Sequence, residues 1–240
     1  MDQNDILAPE TAPGNSSVFS ADSFSKLSAL MRKHRIAEGS PIFWEGEAAE
    51  YWYYLEHGHV KGTKSSAEGR EFTMYRYKQG DFFGQLGFDG EPVQNFSAIA
   101  ATDCVISFLP RGELEFALWR FGNLALECIG WMSQMNRLTQ TKLRDLMLYG
   151  KPGALCSTLI RMANTYGISC EDGTLIGQKV TNSELADSIG AARESVNRML
   201  ADFRHAGAVS MRQGHIVIHD LNYLMQQCHC ENCPKEICRV

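Results

Sequence analysis

The stretch Thr181–Asp220 reads TNSELADSIGAARESVNRMLADFRHAGAVSMRQGHIVIHD. Thr181 followed by Glu184 is a capping box, in which each side chain satisfies an orphan amide at the start of a helix. The helix so opened, SELADSI, closes at Gly190. A second helix is expected from about Ala192 to His205, with Gly207 as its stop signal. AVSMRQGHIVIHD then reads as a two-stranded wing. Two helices around a tight glycine turn, followed by a hairpin, describe a winged helix-turn-helix.

In such a motif the first residues of the second helix enter the major groove. Here they are Arg193, Glu194, Asn197 and Arg198, at a spacing that puts all four on one helix face. Arginine matches the paired acceptors of guanine, and glutamate accepts from the cytosine amino group. Leu185, Ala186, Ile189, Val196, Met199 and Leu200 are left to form the core between the two helices.

Working towards the N-terminus, a helix is expected over GALCSTLIRMANTYG. Before it, helical spacing runs for nearly forty residues beyond Pro110, with breaks near Gly122 and Gly150. Its second part carries a stripe at Cys128, Met132, Met135, Thr139, Leu143 and Leu146, in steps of three and four. A long helix with a narrow apolar stripe calls for a partner helix, so a homodimer is expected. From Ala37 to Pro110 the pattern changes to short aromatic and β-branched runs, SPIFWEG, EYWYYLEHGHVKGTK, REFTMYRYKQGDFFG and FSAIAATDCVISFLP, separated by glycine turns. Such strands suggest a jelly-roll barrel. A short helix, SFSKLSALMRKH, precedes them. The fold class is therefore α+β. The expected parts are a flexible leader (1–20), a jelly-roll domain (21–110), a dimerisation helix (111–150), the winged helix-turn-helix (151–225) and a cysteine-rich tail (226–240).

The bulk properties exclude several classes. There is no secretory signal and no apolar run near the roughly 20 residues that span a bilayer, so a cytoplasmic protein without membrane contact is expected. Net charge is −5, and residues 151–240 are neutral, with nine basic and nine acidic side chains. DNA binding must then rest on placed residues and dimer symmetry rather than a general basic footprint. No P-loop, zinc-protease, nucleophile-elbow or dinucleotide-binding motif occurs, which argues against an enzyme.

Four of the eight cysteines fall within an eleven-residue stretch near the C-terminus, CHCENCPKEIC: Cys228, Cys230, Cys233 and Cys238. In a reducing compartment such clustering points to metal or redox chemistry rather than to a disulfide framework. Four tail thiolates, with His229 as a fifth donor, are enough for a tetrahedral zinc site. The C-x-C spacing of Cys228 and Cys230 is tight for two bonds to one ion. An iron–sulfur cluster and free redox thiols are the other readings.

These parts in this order, and especially GDFFGQLG and SELADSIGAARESVNRML, resemble the CRP/FNR family of transcription regulators over roughly residues 20–225. The resemblance implies a homodimer, double-stranded DNA as partner with TGTGA-like palindromic half-sites, contact with RNA polymerase, and base reading by Glu194 and Arg198. The family's cyclic-nucleotide residues are not matched. Gln85 and Phe96 stand where a ribose-binding glutamate and a phosphate-binding arginine are usual, so no cyclic nucleotide is expected. The Bacillus-type subgroup carries a C-terminal 4Fe–4S cluster on a C-x2-C-x4-C triplet completed by an aspartate. Cys230, Cys233 and Cys238 fit that spacing, and Asp145 stands at the matching place, with Cys228 as an alternative ligand. The implied function is oxygen-responsive transcription regulation, active without oxygen.

Overall fold

The computed structural model describes residues 12–69, 71–87 and 90–240. They form two compact units. One is Pro13–Met135; the other is Asn136–Val240 together with Ala12. No helix among the described residues is long and apolar enough to cross a membrane.

The first unit holds α1 (Ala21–Ala29), then β1 (Arg32–Ile36), β2 (Pro41–Phe43), β3 (Tyr51–His57), β4 (His59–Ser65), β5 (Glu71–Lys78), β6 (Phe82–Phe83), β7 (Ser97–Ala100), β8 (Cys104–Pro110) and α2 (Arg111–Arg120). The strands make two four-stranded antiparallel sheets, ordered β1-β8-β3-β6 and β2-β7-β4-β5. Alternation along β3 divides its side chains between two cores. Tyr53 and Leu55 face the interior between the sheets with Phe43, Tyr77, Phe83 and Phe96. Trp52 faces the other way, onto Leu27, Phe82, Leu114, Cys128 and Trp131.

Two expectations fail here. Arg32, Lys33 and His34 belong to a strand, not to the end of the first helix. Their ladder with β8 pairs Arg32 with Phe108 and His34 with Ile106, and sheet pairing overrides local helical spacing. Residues 12–20, expected to be a flexible leader, are docked; residues 1–11 lie outside the described residues. Asn15 is buried; its amide donates to Asp81 Oδ1 (2.7 Å), its Nδ2 to the Phe82 carbonyl (2.8 Å), and its Oδ1 accepts from the Phe82 amide (2.7 Å). Phe19 adds an edge-on contact to Phe82.

The long helix α3 (Gly122–Leu148) starts and stops at the two glycines that the sequence marks. Its expected stripe is out of phase with the structure. Cys128 is buried, Met135 and Leu146 pack against cores, and the exposed apolar residues are Leu126, Ile129, Met132, Leu143, Met147 and Leu148. Exposed positions recur at 122, 126, 129, 133, 136, 140, 143 and 147, alternating four and three, which is the spacing of a helix-pairing seam. Only Met132 and Leu143 of the expected stripe lie on the exposed side.

The second unit continues with α4 (Gly150–Tyr166), β9 (Gly167–Cys170), β10 (Gly173–Ile176), α5 (Asn182–Ile189), α6 (Arg193–His205), β11 (Val209–Arg212), β12 (His215–Ile218) and α7 (Leu221–Gln227). The wing is larger than the expected hairpin: β9 and β10 extend it to a sheet ordered β11-β12-β10-β9. Leu155, Leu159, Leu185, Val196, Leu200, Phe203 and Leu224 fill the core of this unit, and Cys228 and Cys238 of the tail are part of it.

Candidate functional site

The reading face is built by local rules. Thr181 Oγ1 accepts from the Glu184 amide, and Glu184 Oε2 accepts from the Thr181 amide at 2.9 Å, so α5 starts with both halves of its capping box. Gly190 ends it in the left-handed region (φ 60°), the conformation a tight turn needs and glycine adopts without strain. That turn aims α6. Val196, Met199, Leu200 and Phe203 are buried, while Arg193, Glu194, Asn197 and Arg198 are all exposed on the other side. The i,i+4 pair Glu194 and Arg198 does not close into an ion pair among the described residues. Instead Arg198 Nη2 donates to Ser195 Oγ at 3.1 Å, and Asn182 Nδ2 donates to Asn197 Oδ1. Unclosed, the two charged heads stay exposed to solvent. A groove of about 400 Å³ lies beside this face, lined by Asn182, Asn197, Arg204 and Met211 among others.

The second candidate lies under the tail. Asp145 near the end of α3 is 3% exposed, although an aspartate there is ordinarily a solvated residue. Its charge is met by two arginines and a hydroxyl. Arg144 donates to Oδ1 through Nε (3.1 Å) and Nη2 (2.7 Å). Arg161 Nη2 donates to Oδ2 at 2.9 Å, and Ser157 Oγ donates to the same oxygen. Arg161 also reaches the tail, with Nη1 3.3 Å from the Ile237 carbonyl, while Arg144 Nη1 lies 2.6 Å from Glu231 Oε1. Although burial works against its charge, Glu231 and Asp145 hold the Arg144 guanidinium well above the ordinary arginine range. The tail is further fixed to α4: Asn164 Nδ2 donates to the Cys238 carbonyl (2.8 Å) and the Val240 amide to Thr165 Oγ1 (3.2 Å).

The four tail cysteines divide into two kinds. Cys228 is 2% exposed inside the apolar core, and burial, then Cys230 and the Asp145 carboxylate, push its thiol up to about 12. Cys156 of α4, fully buried, is its neighbour and is likewise pushed up to about 12, by burial and then by Cys228. Cys230 and Cys233 are half-buried at the rim of that core. The Asn232 amide donates to Cys230 Sγ at 3.4 Å, with Asn232 in the left-handed region (φ 52°), so the C-x2-C turn aims an N–H at sulfur. Cys238 is buried; its thiol is raised by burial and held back by the Arg161 guanidinium, with Cys230 and Cys233 close enough to add their charge.

Cys230, Cys233, Cys238 and Asp145 thus share one neighbourhood, but no set of three or more metal-donor side chains among the described residues converges on a single point. As a donor set, three thiols and a carboxylate suit a soft, multi-iron group better than a hard ion. Arg144, Ser157 and Arg161 were not singled out from the sequence. Their signal was there: a lone arginine inside the apolar run STLIRMAN of α4, four residues after a serine.

In the barrel, Gln85 is tied up locally: its amide donates to Gln94 Oε1 (3.0 Å), its Nε2 to the Leu86 carbonyl (3.1 Å), and its Oε1 accepts from Asn95 Nδ2 (2.8 Å). Phe96 is buried against Phe43 and Tyr75, with ring centroids 5.5 Å away in both cases.

Comparison with known proteins fits this architecture. Residues 33–119 match the cyclic nucleotide-binding domain and residues 153–227 the Crp-like helix-turn-helix domain. The anaerobic regulatory protein of Bacillus subtilis is 39% identical over 230 residues, covering 95% of this chain and 97% of that protein. A CRP-like cAMP-activated global transcriptional regulator of Mycobacterium tuberculosis is 29% identical, over 79% of this chain and 84% of its own. Among solved structures, FixK2 from Bradyrhizobium japonicum shares the fold with a TM-score of 0.72 at 20% identity, over 82% of this chain and 96% of that one. The relatives are transcription regulators rather than enzymes, and this chain belongs to the CRP/FNR family of DNA-binding transcription regulators.

Proposed function

We propose that this protein is an oxygen-responsive transcription regulator, a homodimer that binds a TGTGA-like palindrome in the absence of oxygen and recruits RNA polymerase there. In this reading Cys230, Cys233, Cys238 and Asp145 hold a 4Fe–4S cluster. The observation that carries it is the buried, fully hydrogen-bonded carboxylate of Asp145 beneath the cysteine tail. A surface helix end has no need of a buried anion, and burying one is costly unless its partners have a purpose. The likeness to a Bacillus subtilis anaerobic regulatory protein supports the same assignment.

Bound there, the cluster would supply an oxygen-labile redox group. The chain's own residues do the rest. The Asn232 amide donates a hydrogen bond to the Cys230 sulfur, and the Arg161 cation offsets negative charge beside Cys238. Asp145 would present a hard oxygen among soft sulfurs, and so would be expected to hold such a group less firmly than the three cysteines. Cys228 lies deeper in the core than Cys238 (2% against 8% exposed) and beside Cys156, which supports leaving it out of the ligand set and weighs against a zinc site on all four tail thiolates. Arg193, Glu194, Asn197 and Arg198 meet base edges. The barrel takes no cyclic nucleotide.

The test is a visible absorption spectrum of protein purified without oxygen, before and after admitting air. A broad absorption near the violet that bleaches in air is expected. A colourless protein with stoichiometric zinc would overturn the proposal.

A further inference from the structure

Asp145 has two carboxylate oxygens and four protein donors: Arg144 Nε and Nη2 on Oδ1, Ser157 Oγ and Arg161 Nη2 on Oδ2. An ionised carboxylate offers about four lone-pair directions, so all are in use. Any metal bond to Asp145 must replace a donor. The two oxygens differ in how readily they give one up. Oδ2 is held by Arg161, whose side chain is only 5% exposed and which also anchors the Ile237 carbonyl, and by Ser157 of the same helix. Oδ1 is held by Arg144 alone. Arg144 is the more exposed of the two arginines, and it already has a second carboxylate, Glu231, 2.6 Å from Nη1. Glu231 lies inside the C-x2-C turn between Cys230 and Cys233.

We propose that Arg144 is a positioning residue that competes with iron for Asp145 Oδ1. It captures the carboxylate when Asp145 is not a ligand and yields it, keeping Glu231, when Asp145 is one. This rests on the ligand set proposed above and adds the residue that sets how firmly Asp145 holds. The exchange is redox-neutral. A lone pair of Oδ1 leaves two N–H donors and is given to iron, and no proton or electron moves. Arginine suits the role because its planar fork places two donors on one oxygen while its third nitrogen pairs with a second carboxylate, a fixed geometry that a lysine ammonium lacks.

The test follows loss of visible absorption when anaerobically purified, cluster-loaded protein is challenged with a fixed excess of a ferrous chelator. Wild type, Arg144→Lys, Arg144→Met and Asp145→Asn are compared. Asp145→Asn should lose its colour faster than wild type. Both Arg144 variants should lose it more slowly, by roughly tenfold for Arg144→Met, since a hydrogen bond to a charged group is worth about that factor. In the metal-free chain, Arg144→Met should speed hydrogen exchange at the Asn232 and Cys233 amides, because Glu231 loses its partner. Unchanged loss rates in both Arg144 variants would overturn the proposal. So would a faster rate in Arg144→Met with Arg144→Lys at the wild-type rate, the pattern of a cation that only supplies field. A colourless wild type, or Asp145→Asn losing colour at the wild-type rate, would sink the underlying ligand set and this proposal with it.

Discussion

In the barrel, Phe43, Tyr53, Tyr77 and Phe83 meet ring to ring at centroid distances of 5.0–6.2 Å, and Phe96 closes on Phe43 at 5.5 Å. Under the tail, an equally buried space holds Asp145, Arg161 and Ser157, hydrogen-bonded to one another and to backbone. Both regions are buried. Aromatic packing is satisfied as it stands, because its favourable contacts are with itself. A buried ion cluster is marginal by comparison, since desolvation offsets most of the attraction. Of the two, only the second has groups whose partners can be exchanged at modest cost, and that is what a switch requires.

The largest test of that contrast is Arg161→Met. Removing one partner of a buried ion pair leaves Asp145 with a shortfall of charge, and a cost of about 3–5 kcal/mol is expected in denaturant unfolding. A conservative change in the barrel, Phe83→Leu, should cost less than about 3 kcal/mol, because the neighbouring rings can close in. If Arg161→Met is the milder of the two, the tail cluster is not the strained region. Next in size are Glu194→Ala and Arg198→Ala, each expected to weaken operator binding by about 1–3 kcal/mol and to relax base preference at one position per half-site. Equal losses on every DNA sequence would mean contact with phosphate alone.

The two regions also differed in how far the sequence disclosed them. The reading head was legible because local signals agreed: a capping box at Thr181 and Glu184, a glycine at 190, and apolar residues at helical spacing on one side of α6. The barrel strands are legible for the same reason, except β1, whose residues Arg32–Ile36 are pattern-neutral and take their conformation from β8. The α3 stripe went out of phase because that helix is apolar on both sides. Leu124, Cys128 and Trp131 serve its own core, while Leu126 and Ile129 stay exposed, and periodicity alone cannot tell a core from a seam. The tail cysteines were conspicuous by spacing. The cluster around Asp145 was not, because it comes together only through folding: Arg144 and Asp145 are neighbours near the end of α3, Arg161 sits mid-α4, and Glu231 is seventy residues further on.

Alkaline titration probes the buried thiols. Cys156 and Cys228 in the C-terminal unit, and Cys128 in the other, are pushed up to about 12 chiefly by burial. An unfolded cysteine ionises near 8.5. Between those values the unfolded chain has released protons that the folded chain retains, so stability is intact below about pH 8.5 and falls as pH rises towards 12. Each thiol contributes a slope of up to about 1.4 kcal/mol per pH unit. Cys228→Ala should flatten the curve by one such slope, read by denaturant unfolding between about pH 9 and 11. An unaltered curve would mean that Cys228 ionises freely and is not held in the core.

The smallest expected effect is the most direct challenge to the comparison. A ligand at a hundred times its Kd stabilises a protein by about 2.7 kcal/mol, easily seen as a thermal shift. Cyclic AMP at millimolar concentration should give no shift here. Its phosphate would need a cationic partner in the barrel interior, and the ring of Phe96 stands at the position where that partner would be, packed against Phe43 and Tyr75. Phe96→Arg should not create binding either. A guanidinium among the rings of Phe43, Tyr75 and Tyr77 would itself be unpaired, and the protein should lose stability instead, by about 1–3 kcal/mol or more. A saturable shift with the wild-type protein would show that the rings can part, and the barrel would then join the tail as a second exchangeable site.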